Sequence, residues 1–127
     1  MANYNCYGSQ LINVVSVPAF AVDTTITLVY DVDVNSDATN EVRLLINSVG
    51  VAPATVVVNL PSISSFNGIY NVAIYVVDSG NNAAVKNIVV NAAAGNTING
   101  AASVTLSTNG TTAICQIADG SHWYALV

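Results

Sequence analysis

The feature that most constrains this chain is an apolar alternation of period two, recurring between turn dipeptides. Over residues 25–34, Ile26, Leu28, Tyr30, Val32 and Val34 fall on one side. Thr25, Thr27, Asp31 and Asp33 fall on the other, with Val29 the exception. Successive side chains of a strand point to opposite faces, so the stretch reads as a strand with one buried face. Val42, Leu44 and Ile46 oppose Glu41, Arg43 and Asn47 in the same way, and Val56, Val58 and Leu60 form another strand stopped by Pro61. Residues 70–77 and 85–90 are apolar on both faces, as strands inside a sandwich or an oligomer interface are. Further strands are expected over residues 102–107, 112–118 and 121–127. Asn67-Gly68, Asn99-Gly100 and Asn109-Gly110 between them are favoured hairpin dipeptides, Asp119-Gly120 is their near relative, and Ser79-Gly80-Asn81-Asn82 is another tight connection.

The residue vocabulary agrees. The chain has 21 valines and 16 asparagines among 127 residues, and few strong helix formers beyond alanine and leucine. Valine and threonine favour strands, and asparagine with glycine favours turns. The expected fold is a single all-β domain over residues 1–127, an antiparallel β-sandwich or jelly-roll-like arrangement of about nine short strands. No solenoid-like internal repeat is expected, and residues 50–54 are the one plausible seam. Residues 1–22 lack clean alternation and suit an extended arm over a neighbour. The start has no basic segment followed by an apolar run, so a soluble protein made in a cytoplasm is expected. The most apolar stretch, residues 11–22, is interrupted by Asn13, Ser16 and Pro18 and falls short of the roughly 20 residues that span a bilayer.

Charge excludes several functions. Charged residues are 7% of the chain, against about 25% in an average soluble protein. The two basic residues, Arg43 and Lys86, are too few to follow a phosphate backbone, so no nucleic-acid partner is expected. A small chain this apolar (53% hydrophobic) is expected to bury surface against copies of itself or a partner. The one histidine, His122, has Asp119 as its only nearby acid, and no nucleophile elbow or phosphate loop is present. The chain is therefore read as no enzyme and as needing no cofactor. Asp31, Asp33, Asn35 and Asp37 set oxygen ligands at alternate positions, as calcium accepts. Yet Ser36 stands where a helix-loop-helix calcium loop needs glycine, and Val42 where it needs glutamate. A solvated acidic turn is the plainer reading, with a calcium site in a β-loop as the alternative. Cys6 and Cys115 read as two small buried residues, the alternative being a disulfide joining the ends.

From about residue 55 a set of motifs follows in order. Leu60-Pro61 closes a strand, then come Asn67-Gly68-Ile69-Tyr70, Asp78-Ser79-Gly80-Asn81, Thr97-Ile98-Asn99-Gly100 and the closing Asp119-Gly120-Ser121-His122-Trp123. This order resembles a short β-module of tailed-bacteriophage structural proteins, found at the ends of tail fibres, head fibres and spike or decoration proteins. The resemblance covers residues 54–127 and leaves residues 1–53 as an N-terminal attachment part. Where family members often carry lysines, this chain has Val72-Ala73-Ile74, which suggests a more buried setting. The resemblance implies a homotrimer in the virion, on the capsid exterior, with the major capsid protein as partner. The short length favours a capsid decoration or cement protein or a short head fibre. The alternative is a small adhesin of the tail or fibre tip that recognises a host glycan. Trp123, Tyr124, His122 and Asp119 are the candidates for oligomer or ligand contact, with core packing as the plainer role of Trp123 and Tyr124. The Trp123 indole N–H is expected to reach a carbonyl.

Overall fold

Strand-forming residues separated by short turns leave no long helix. The computed structural model describes residues 2–4, 11–17, 24–34, 41–48 and 55–127. Its strands are β1 (Ala2–Tyr4), β2 (Leu11–Val17), β3 (Thr24–Thr27), β4 (Glu41–Ile46), β5 (Val56–Asn59), β6 (Ala73–Asp78), β7 (Ile88–Asn91), β8 (Thr97–Ile98), β9 (Ser103–Leu106), β10 (Thr112–Ile117) and β11 (His122–Leu126). A single 3-10 turn, Ile63–Phe66, precedes β6. Seven strands form a larger sheet in the order β1-β2-β4-β6-β10-β11-β8, and four form a smaller one in the order β3-β5-β7-β9. The expected all-β, two-sheet architecture of short strands is met. The short β1, β2 and the two-residue β8 are the strands that the alternation did not announce. Among the described residues, no helix is long and apolar enough to cross a membrane.

Strand direction departs from an antiparallel sandwich. From β2 to β7 the chain crosses to the other sheet after every strand, so neighbours within a sheet are a full coil apart and run the same way. Thus β2, β4 and β6 pair in parallel, as do β3, β5 and β7. Antiparallel pairing is confined to the two ends: β1 with β2, β10 with β6 and β11, and β9 with β7. Parallel neighbours need long crossovers rather than tight hairpins, and here each crossover runs through the opposite sheet. The coil also carries a repeat. Thr24 pairs with Val56 and Val56 with Ile88, while Glu41 pairs with Ala73, each pair 32 positions apart. A solenoid-like period is therefore present where none was expected.

The repeat lies in burial and turn geometry more than in residue identity. Val34, Phe66 and Ile98 recur at that spacing and are all buried, as do Val42, Ile74 and Leu106. Asn67-Gly68 and Asn99-Gly100 occupy the same place in successive coils with nearly the same left-handed backbone, φ 52° and 81° against 51° and 82°. A side-chain ladder ties the coils together. Asn91 Nδ2 donates to Asn59 Oδ1 at 3.1 Å, and Asn59 Nδ2 donates to Thr27 Oγ1 at 3.3 Å. The backbone repeats the pattern alongside, with Leu28 N–H on Asn59 O at 3.0 Å and Leu60 N–H on Asn91 O at 2.9 Å.

Several expected elements shift. The strand expected over residues 25–34 ends at Thr27, because Asp31 adopts φ 66° and Asp33 Oδ2 accepts the Val29 N–H at 2.7 Å, which closes a turn. Val32 is consequently 75% exposed rather than facing the core. Residues 85–87 belong to a turn, and Val85 is exposed. The start is not wholly a free arm, since β2 lies in the larger sheet beside β4. The seam at residues 50–54 lies outside the described residues, as does Cys6. Cys115 is buried in the core, and desolvation pushes its thiol up to about 12, which leaves almost no reactive thiolate at neutral pH.

Between the sheets lie Trp123, Phe66, Leu44, Ile46, Ile63, Ile74, Ile88, Ile98 and Leu106, all fully buried. Where the parallel coil meets the antiparallel end, Asp78 acts as a pin. Its buried carboxylate accepts the backbone N–H of Asn82, Ala83 and Gly110, each at 2.9 Å. One side chain thereby holds the turn after β6 against the turn before β10.

Candidate functional site

Alternation along β11 divides the expected contact residues. His122, Tyr124 and Leu126 face outward, while Trp123 and Ala125 face the core. Trp123 is 1% exposed and meets Phe66 edge to face, ring centroids 6.2 Å apart, and Phe66 meets Tyr30 likewise at 4.8 Å. A buried indole is no platform for a sugar, so Trp123 takes the plainer of its two expected roles, a core anchor, and drops out of the contact candidates. Its Nε1–H reaches no acceptor among the described residues, contrary to the expected carbonyl bond. Tyr124 remains at the surface, 49% exposed.

His122 and Asp119 also lie at the surface, in the turn joining β10 to β11. Asp119 Oδ1 accepts the backbone N–H of Ser121 at 2.8 Å and of His122 at 3.0 Å, and His122 Nδ1 lies 2.7 Å away. A carboxylate only accepts, so Nδ1 carries the hydrogen. The Ser121 N–H first, and the His122 side chain next, hold the Asp119 carboxyl below its ordinary value of 3.8. A carboxyl with a lowered folded pKa supports the fold above its unfolded value and loses that support as pH falls through the folded one. The Asp119 carboxyl resonance should therefore titrate below 3.8 in an NMR pH series, with the turn amides moving in step. A midpoint at or above that value would contradict the turn geometry.

The outward face of the larger sheet is built from alternate residues of four neighbouring strands. Register sets Arg43, Tyr75, Ile114 and Leu126 side by side across β4, β6, β10 and β11. Leu45, Val77 and Thr112 form a second row, and Glu41, Ala73, Gln116 and Tyr124 a third. Its charges on β4 cancel: Arg43 Nη2 donates to Glu41 Oε1 at 2.8 Å. The same guanidinium lies over the Tyr75 ring, 4.3 Å from the centroid, a cation–π contact that also fixes the ring. No protein-family model matches the chain, and no curated protein matches it closely enough to count as a relative.

One end of this face is concave. A pocket of about 470 Å³ opens where the third row meets the lead-in to β6, lined by Glu41, Tyr70, Asn71, Ala73, Tyr75 and Gln116 over a floor of Val72 and Ile117. None of the polar liners was a sequence candidate. They come from three separate stretches, and only the sheet register brings them together. Of the acidic run, Asp31 and Asp33 lie in a turn where Asp33 accepts the Val29 N–H, and Asn35 and Asp37 lie outside the described residues. Among the described residues, no cluster of three or more His, Cys, Asp or Glu could hold a metal ion.

Proposed function

We propose that the chain is a bacteriophage virion structural protein, a capsid decoration or cement protein or short head fibre, which forms homotrimers and docks on the capsid exterior against the major capsid protein. The observation that carries this reading is the outward face of the larger sheet, where Tyr75, Val77, Ile114, Tyr124 and Leu126 lie in neighbouring register around one internally neutralised ion pair. A continuous face of that kind suits burial against an equally neutral surface, and its own charges cancel although the chain as a whole carries a net charge of -5. The motif order of residues 54–127 supports the phage setting, and residues 1–53 are then the attachment part. Catalysis has no part in the reading. The alternative, a small adhesin for a host glycan, loses Trp123 as its platform, although His122, Tyr124 and Asp119 stay accessible.

Light scattering on the purified protein tests the assembly half of this proposal. A trimer is expected, with Tyr124→Lys/Leu126→Lys shifting it toward monomer while the β-type circular dichroism is kept. A wild-type monomer at micromolar concentration would overturn it.

A further inference from the structure

We propose that the pocket at the β4–β6–β10 end of the larger sheet binds a neutral saccharide. The proposal goes beyond the decoration role; the pocket shares Tyr75 with the face proposed for docking, so it requires that the assembly leave this end of the face open.

Among the described residues, Glu41 is the only charged group lining the pocket, and Arg43 pairs with it through one oxygen. A phosphate or carboxylate ligand would find no cation to itself, and a cationic ligand would have to compete with Arg43 for Glu41. The chemistry left over is that of hydroxyl recognition. The side-chain amides of Asn71 and Gln116 make no hydrogen bond with another group among the described residues, and each offers donors and an acceptor. Glu41 Oε2 is a further acceptor. A sugar hydroxyl both donates and accepts, so vicinal hydroxyls match an amide and a carboxylate set side by side.

The apolar part fits the same ligand. Tyr70 and Tyr75 supply rings with polar tips, and Val72 and Ile117 supply a floor for the C–H face of a pyranose. The volume, about 470 Å³, falls within the range of roughly 300–1,000 Å³ usual for small-molecule sites. The Arg43 contacts hold Tyr75 and Glu41, and the β4–β6–β10 register sets Gln116 beside them, so binding has only the exposed Asn71 and Gln116 side chains to order.

The test is an NMR titration of ¹⁵N-labelled protein with glucose, galactose, N-acetylglucosamine and maltose in turn. At least one sugar is expected to shift the Asn71 and Gln116 side-chain amides saturably, with millimolar affinity. Asn71→Ala and Gln116→Ala should each weaken that sugar about tenfold. Both residues are exposed, so their spectra should otherwise stay those of the folded protein. No saturable shift with any of the four sugars overturns the proposal, as do shifts that persist in the two variants. Either failure leaves the trimer measurement untouched.

Discussion

Trp123→Ala is expected to cost about 3–5 kcal/mol of stability, the usual loss for a large aromatic removed from a packed core. The ring is buried in full and takes the edge-to-face contact with Phe66, so alanine leaves a cavity that rigid strands on either side do not close. Against a total stability of about 5–15 kcal/mol for an ordinary domain, that is a large share. Chemical denaturation followed by circular dichroism would read it as a lowered midpoint. The wild-type protein offers a companion measurement, because Trp123 is its only tryptophan. Its emission should be blue-shifted and shielded from iodide. A variant of near-native stability, together with an iodide-quenched wild type, would put Trp123 back at the surface and undo the description of the core.

Asp78→Ala is expected to rank with it. The substitution leaves the N–H groups of Asn82, Ala83 and Gly110 without their acceptor in a region where the carboxylate itself is almost fully buried. The Ala83 N–H is buried, and an orphan donor there costs about 1–3 kcal/mol; Asn82 is half-buried and Gly110 exposed, so water takes part of the place of the lost acceptor at those two. Amide hydrogen exchange should show the turn after β6 and the turn before β10 losing protection together, ahead of the strands. Loss in one turn alone would mean that Asp78 does not pin the two.

Much of the fold could be read from the residues, and the failures have physical causes. The alternation of Val42, Leu44 and Ile46 shows which face of β4 is buried, because period two is geometric. The same rule separates Trp123 from His122 and Tyr124, so the three do not form one contact surface. The break after Thr27 was hidden because Asp31 carries no glycine-like signature, although it takes a left-handed backbone. The coil was hidden for a deeper reason. A parallel coil asks only for a buried β-former at each register position, so Val34, Phe66 and Ile98 are equivalent without being alike. Its visible traces are Asn59 and Asn91, and the pair Asn67-Gly68 with Asn99-Gly100. Taken one at a time, the members of the last pair are ordinary hairpin signals. The pocket could not be read at all, since Glu41, Asn71 and Gln116 meet only through inter-strand register.

The proposed virion role is tested most directly by copy number. Quantitative mass spectrometry of purified particles would count this chain against the major capsid protein. Hundreds of copies per particle are predicted, in multiples that suit trimers at the lattice symmetry axes. A handful to a few tens would contradict a lattice-wide decoration role and point to a fibre or tail tip, and absence from the particle would overturn the virion reading itself.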